Sequence, residues 1–217
     1  MLDFYFDFIS PYAYLAWANP RTGPRALAAR HGVALSIHPI LFAGLLQKWG
    51  QLGPAEIPPK RAFLVKDVMR HAAREAIPIA FPAAHPFNPL VLLRLALVEG
   101  ANQAEVIDAL FALAWSSGAD VADANGIAAV LAARGLDGER MIARTRDADV
   151  KAALVRETEG AVARGVFGVP TFIAGDELFW GSDRAADVDR YLAGDDPVDR
   201  DLAAAIIARP LGLIRPR

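Results

Sequence analysis

Residues 2–17 constrain the fold most strongly, because they join a strand pattern to a helix-start signal. In residues 2–8, one leucine and three phenylalanines fall on one face, and two aspartates and a tyrosine fall on the other. This period of two, rich in aromatic side chains, is typical of a β-strand. Ser10 then precedes Pro11, and serine is a favoured helix N-cap while proline is favoured at the first helical position. The segment therefore predicts a strand, a short turn and a helix that begins beside Ser10.

The start of this helix is a candidate site for an anion. Unpaired N–H groups and the helix dipole place partial positive charge there. A thiolate in this position would be stabilised, which lowers the pKa of its thiol, and the Ser10 hydroxyl can donate to the sulfur. Local chemistry leaves open the alternative that Ser10 only caps the helix.

The chain contains no cysteine among its 217 residues. Disulfides, thiolate metal sites and cysteine catalysis by its own side chains are therefore excluded, and any thiol must come from a ligand. The formal net charge of -2 does not favour nucleic acid or an anionic membrane as partner. The four histidines show no metal-ligand spacing, so no metal is expected. Since neither a signal-peptide pattern nor a long apolar run is seen, we expect a cytoplasmic protein.

The order of elements predicts an α/β domain that is interrupted by a helical block. Residues 1–42 read as strand–helix–strand, which implies a parallel pair. Glycine and proline in residues 43–60 predict mostly loop, and helical periodicity follows up to residue 164. Residues 165–181 predict a hairpin, and residues 183–192 predict the last helix. The predicted parts are a thioredoxin-like domain (1–42 and 160–206), an all-helical insertion (43–159) and a C-terminal tail (207–217).

Two motifs near the end of the chain can complete a binding site. Pro170 stands at the entrance of a predicted strand, where it leaves the backbone of Val169 free to pair with an extended ligand. Ser182 and Asp183 stand at the start of the last predicted helix, where the carboxylate and ammonium of an amino acid would find partners. A plain strand-start proline and simple helix capping remain alternatives for these two motifs.

Five stretches of the chain carry a resemblance to a known family. They are FYFDFISPYAYLA (4–16), PPKR (58–61), IPIAFP (77–82), VFGVPTF (166–172) and LFWGSDR (178–184). Together they resemble the 2-hydroxychromene-2-carboxylate isomerases, which belong with the kappa-class glutathione transferases in the DsbA-like group. The resemblance covers nearly the whole chain and implies a thioredoxin-like domain with a helical insertion, glutathione as cofactor and a homodimer.

The resemblance also implies which residues hold glutathione. In the family the sulfur lies beside the serine at the helix start, here Ser10. The cysteinyl backbone pairs with the residue before a cis-proline, here Val169 before Pro170. The γ-glutamyl end meets a pair of residues that corresponds to Ser182 and Asp183.

Further family positions are matched less completely. Lys60 falls where the family carries a lysine near the glycyl carboxylate, and Gln51 stands where an asparagine is usual. Since a thiol is missing from the chain, Ser10 is expected to stabilise the thiolate of glutathione as the catalytic residue. An aromatic substrate with a carboxylate requires an apolar slot and a cation, and the candidates for these are Tyr12, Lys48, Trp49 and Trp115.

The implied activity is glutathione-dependent cis–trans isomerisation of a small aromatic pyruvate-type substrate, in aromatic catabolism. The first alternative is a kappa-like glutathione transferase, which would consume glutathione instead of regenerating it. The second is a non-catalytic binding protein with a thioredoxin fold, which would bind no glutathione.

Overall fold

A four-stranded mixed sheet lies at the centre of the fold, in a computed structural model that describes residues 1–98, 102–210 and 212. Its strands are β1 (Leu2–Phe6), β2 (Leu35–Pro39), β3 (Thr171–Ala174) and β4 (Glu177–Trp180). The spatial order is β2-β1-β3-β4. β1 pairs in parallel with β2 and antiparallel with β3, and β3 and β4 form the expected hairpin. The sheet therefore joins the two ends of the chain, as the sequence predicts.

Helices surround this sheet and dominate the stretch between β2 and β3. They are α1 (Pro11–Ala18), α2 (Pro24–His31), α3 (Phe42–Trp49), α4 (Pro58–Glu75), α5 (Leu90–Leu95), α6 (Gln103–Trp115), α7 (Ala124–Ala132), α8 (Gly138–Arg144), α9 (Ala148–Ala163), α10 (Ala185–Leu192) and α11 (Arg200–Ile207). The long helical stretch within a thioredoxin-like fold confirms the predicted fold class. The exact boundaries of the insertion and of the tail remain predictions, and most of the tail beyond residue 210 lies outside the described residues.

Two expectations about secondary structure are wrong. Residues 43–60 are not mostly loop, because α3 occupies most of their first half. Apolar residues at positions 42, 45, 46 and 49 recur at helical spacing, and burial of Leu45 offsets the glycine inside the helix. That glycine, Gly44, faces α9 closely, since a Cβ there would lie 3.0 Å from Thr158 Cγ2. The helix predicted over 183–192 is also not the last, because α11 follows it.

The aromatic face of β1 packs against the helical insertion. Phe6 and Phe8 place their rings 5.3 and 4.7 Å from the ring of Phe111 on α6. Phe4 contacts Phe172 of β3 at 5.0 Å on the same face. One hydrophobic core therefore contains residues from both the sheet and the insertion, which fixes the insertion over the end of β1 where α1 begins.

Candidate active site

A cavity of about 1030 Å³ opens beside the N-terminus of α1. Its wall is built by the β1–α1 turn, the start of α3, α4, the segment before α5, the entrance to β3 and the turn after β4. This volume is at the upper end for small-molecule sites and leaves room for two ligands side by side. The cavity brings together these residues predicted from the sequence: Ser10, Tyr12, Gln51, Lys60, Val169, Pro170, Ser182 and Asp183.

Ser10 caps α1, as predicted. Its Oγ accepts a hydrogen bond from the amide of Ala13 at 3.2 Å, and only 8% of the residue is exposed. The hydroxyl proton stays available, because a serine hydroxyl can accept and donate at once. Pro11 has no N–H, and no partner for the Tyr12 amide N–H occurs within residues 1–98, 102–210 and 212. Capping and donation to an anion are therefore compatible roles for Ser10.

The entrance to β3 presents unpaired backbone to the same cavity. The peptide bond between Val169 and Pro170 is cis. In the part of the chain that the structure describes, neither the amide nor the carbonyl of Val169 has a backbone partner. Gly168 lies under Trp180, where a Cβ would come within 2.4 Å of the indole nitrogen. This close approach requires glycine and keeps the Val169 backbone open to an extended ligand.

The turn after β4 supplies a carboxylate. Asp183 lies in a short 3₁₀ turn, Ser182–Arg184, that leads into α10. Arg184 donates to Asp183 at 2.5 Å and holds the pKa of that carboxyl below its usual range. Gly181 has φ of +119°, a conformation that favours glycine, and it turns the chain sharply into this position. Asp183 is therefore ionised at neutral pH and lines the cavity beside Ser182.

Two cations on α4 line the cavity without an ion-pair partner among the described residues. They are Lys60, in the first turn, and Arg74, in the last. They are fourteen positions apart, which corresponds to about 21 Å along the helix axis. Arg184, in contrast, is committed to Asp183 and Asp187. The sequence did not single out Arg74 as a site residue, because basic residues recur every four positions along this helix and predict a solvent-exposed face.

Asp7 is a second residue that the sequence analysis did not place in the site. It is fully buried and borders the cavity. Its two carboxylate oxygens accept from the amides of Ile9, at 3.0 Å, and Phe42, at 2.8 Å. The carboxylate thus ties the β1–α1 turn to the start of α3. Burial raises the pKa of Asp7 to about 7, although both hydrogen bonds act in the opposite direction.

The pKa of Asp7 predicts a pH-dependent stability. Between the ordinary carboxyl pKa and about 7, the folded state binds more protons at Asp7 than the unfolded state. Its contribution to the free energy of unfolding therefore falls as the pH rises through this window, by at most about 1.4 kcal/mol per pH unit. We expect Asp7→Asn to remove this slope. Urea unfolding of both proteins across the window checks it, and parallel stability curves would contradict it.

Tyr12 lines the cavity with a committed hydroxyl. Its OH donates to Asp67 Oδ2 on α4 at 2.8 Å. Burial raises the pKa of Tyr12, and the adjacent carboxylate of Asp67 raises it further. The ring of Tyr12 is therefore available to a ligand as an apolar surface, while its hydroxyl stays neutral.

The structure does not bring Lys48, Trp49 and Trp115 to the cavity wall. The face of α3 that borders the cavity carries Phe42 and Leu46, which leaves Lys48 and Trp49 on other sides of the helix. Trp49 donates its indole N–H to the carbonyl of Val166 at 2.9 Å. Trp115 is fully buried and donates to the carbonyl of Phe8 at 2.7 Å, so it belongs to the core.

His85 is a third residue that the sequence did not reveal as part of the site. It lines the cavity, and its Nε2 lies 3.0 Å from the carbonyl oxygen of Ile9, the residue before Ser10. The imidazole ring packs edge-on against Trp115 at 5.3 Å between ring centres. Burial lowers the pKa of His85, the hydrogen bond with Ile9 acts in the opposite direction, and nearby Arg61 adds to the lowering.

In the described part of the chain, His, Asp and Glu side chains form no group of three or more that could hold a metal ion. No described helix combines the length and the apolar character that crossing a bilayer requires.

Comparison with known proteins places these features in a family. The model of the DSBA-like thioredoxin domain matches residues 1–193. A 2-hydroxychromene-2-carboxylate isomerase from Sphingobium xenophagum is 32% identical over 194 residues, covering 88% of this chain and 97% of the relative. Glutathione S-transferase kappa 1 from Rattus norvegicus is 24% identical, covering 90% and 91%. A solved structure of a 2-hydroxychromene-2-carboxylate isomerase superposes with a TM-score of 0.79 at 27% identity, covering 96% and 99%.

Proposed function

Because the chain belongs to the DSBA-like thioredoxin-domain family, and within it to the 2-hydroxychromene-2-carboxylate isomerases, we propose that it is a glutathione-dependent isomerase. The proposed substrates are 2-hydroxychromene-2-carboxylate and similar small aromatic pyruvates. One observation carries the proposal: a hydroxyl at an open helix N-terminus borders a large cavity, in a chain with no cysteine of its own.

The residues of the cavity fit the chemical parts of glutathione. Asp183 offers a carboxylate to the ammonium of the γ-glutamyl group, beside the hydroxyl of Ser182. The free backbone of Val169 suits the extended cysteinyl residue, and Ser10 suits its sulfur. Lys60 offers a cation to the glycyl carboxylate, while Gln51 lines the same cavity and can donate through its amide.

When bound, glutathione supplies a thiolate that adds reversibly to the conjugated double bond of the substrate, which permits rotation and returns free glutathione on elimination. Ser10 donates a hydrogen bond from its hydroxyl to the negative sulfur, and the N-terminus of α1 stabilises the same charge. Both contacts lower the pKa of the bound thiol. Phe42, Leu46 and the ring of Tyr12 line the cavity and exclude water around an aromatic substrate. Arg74, which also lines the cavity, offers a cation to the carboxylate of the substrate.

A kappa-like transferase that conjugates electrophiles is the second candidate, since a kappa-class relative covers 90% of this chain. The fate of glutathione separates the two activities. For an isomerase, we expect many turnovers of a chromene carboxylate per glutathione, measured by ultraviolet absorbance. The concentration of free thiol should stay unchanged. Loss of one thiol per product would identify a transferase. Absence of both reactions would leave the non-catalytic binding protein.

We also propose that the protein is a cytoplasmic homodimer. Large apolar side chains are exposed in the loop after α3, at Leu52, and on α4, at Phe63 and Met69. Burial of such side chains against a second copy would stabilise a dimer. Light scattering should then give twice the chain mass of 23.3 kDa. The proposed use of reduced glutathione suits the cytoplasm, whose glutathione pool is reducing.

A further inference from the structure

His85 is held in one orientation at the reacting end of the cavity. Its Nε2 is within hydrogen-bond distance of the Ile9 carbonyl, one residue before Ser10. Its ring rests edge-on against Trp115 and against Phe87, whose centre lies 6.3 Å away. The backbone tether and the two aromatic contacts leave the imidazole little freedom to rotate.

The contact with Ile9 decides the tautomer of His85. A carbonyl oxygen only accepts hydrogen bonds, so Nε2 must carry a proton. In the neutral ring, Nδ1 is then the basic nitrogen. Within residues 1–98, 102–210 and 212, Nδ1 has no hydrogen-bond partner, and this atom is not fully buried. Nδ1 is therefore accessible and free to accept a proton.

Burial is the main reason that the pKa of His85 is lowered, and the neighbouring charge adds to it, so this nitrogen is unprotonated before a ligand arrives. α4 contributes Arg61, which disfavours an imidazolium, and it also carries Lys60 and Asp67 along the cavity. The β1–α1 turn contributes Asp7, and α6 contributes only the uncharged Trp115. An anion bound beside Ser10 would reverse the balance, because it would stabilise the imidazolium.

We propose that His85 is the proton acceptor of the site, which takes the thiol proton of bound glutathione at Nδ1. The inference rests on the proposed function. In this step the S–H bond breaks, its electron pair stays on sulfur, and the proton forms an N–H bond at Nδ1. Ser10 and the start of α1 hold the negative charge, while His85 holds the positive charge. The proton returns to sulfur before glutathione leaves, so His85 is unchanged after one cycle.

Counting protons tests this transfer on the unmodified protein. Glutathione binding is measured by calorimetry at about pH 7.5, where a free thiol is largely protonated. Buffers of different ionisation enthalpy give the number of protons released, and ultraviolet difference absorbance gives the thiolate formed. We expect thiolate to form with almost no proton release, because His85 keeps the proton. Release of one proton per thiolate, or binding without thiolate, would overturn the inference.

His85→Gln gives the second test, because glutamine can still donate to the Ile9 carbonyl but has no basic nitrogen. We expect the pKa of the bound thiol to rise by about one unit or more, and kcat/KM to fall at least roughly 100-fold. His31→Gln is the matched control, since His31 pairs with Asp189 and lies outside the cavity wall. A His85→Gln protein that isomerises and titrates like the wild type overturns the role of His85 alone. Failure of the wild type to bind glutathione overturns the proposed function as well.

Discussion

Replacing Ser10 with alanine is expected to lower the turnover of a chromene carboxylate roughly 100-fold to 1,000-fold, as loss of one donor to a developing negative charge does in other enzymes. In the proposed function, the Ser10 hydroxyl is the side-chain donor that the start of α1 offers to a bound sulfur, and only 8% of the residue is exposed. Without it, the helix dipole alone stabilises the thiolate, and a smaller fraction of bound glutathione is ionised. Steady-state kinetics and thiolate absorbance measure the two effects separately.

The same substitution removes a helix cap, so its structural cost requires a control. Ser10 Oγ accepts from Ala13, and its loss should lower the free energy of unfolding by about 1 kcal/mol. Asp123→Ala removes an equivalent cap from α7, where the aspartate accepts from Asn125 outside the cavity wall. We expect both variants to lose similar stability and only Ser10→Ala to lose turnover. Equal loss of turnover in both would show that Ser10 acts only as a cap.

Replacing Trp115 with alanine is expected to lower the free energy of unfolding by about 3–5 kcal/mol. Trp115 is fully buried, and its ring contacts Phe81, His85 and Phe87. Its removal leaves a large cavity in the core that joins α6 to the sheet. It also leaves the carbonyl of Phe8 without the indole N–H that donates to it at 2.7 Å. Urea unfolding followed by circular dichroism measures the loss.

Trp115→Phe separates packing from hydrogen bonding at this position. Phenylalanine retains part of the aromatic surface but cannot donate to the Phe8 carbonyl, which costs about 1–3 kcal/mol when a buried acceptor is left unpaired. The expected order of stability is wild type, then Trp115→Phe, then Trp115→Ala. A higher KM for the substrate in either variant with unchanged stability would contradict the core position and support contact with substrate.

Local signals in the sequence were sufficient for the elements that frame the site. Ser10 and Pro11 specify the start of α1 through capping and a fixed φ, and these effects act over a few residues. Gly175 similarly marks the turn between β3 and β4. α3 was missed because Gly44 and the prolines nearby favour a loop locally. The helix forms because Leu45 is buried in the tertiary structure, which local propensity does not report.

The residues that the family resemblance assigns to glutathione line one cavity, and their roles stay predictions, whereas contacts between distant parts of the chain could not be predicted. Asp7 and Phe42 meet across 35 positions, and His85 reaches Ile9 across 76 positions, so neither contact has a local pattern. Trp115 was a candidate for contact with substrate, but its side chain is fully buried. A tryptophan at helical spacing looks the same in the sequence whether it faces a ligand or the core, and the packing of α6 on β1 places it in the core.

The proposed activity depends on the binding of glutathione as a thiolate beside Ser10. Calorimetric titration of the wild type and Ser10→Ala with glutathione and S-methylglutathione measures this binding. We expect the wild type to bind glutathione more tightly than S-methylglutathione, because only the free thiol can ionise. We also expect Ser10→Ala to reduce this preference. Absence of glutathione binding at millimolar concentration, or equal affinity of the wild type for both ligands, would contradict it.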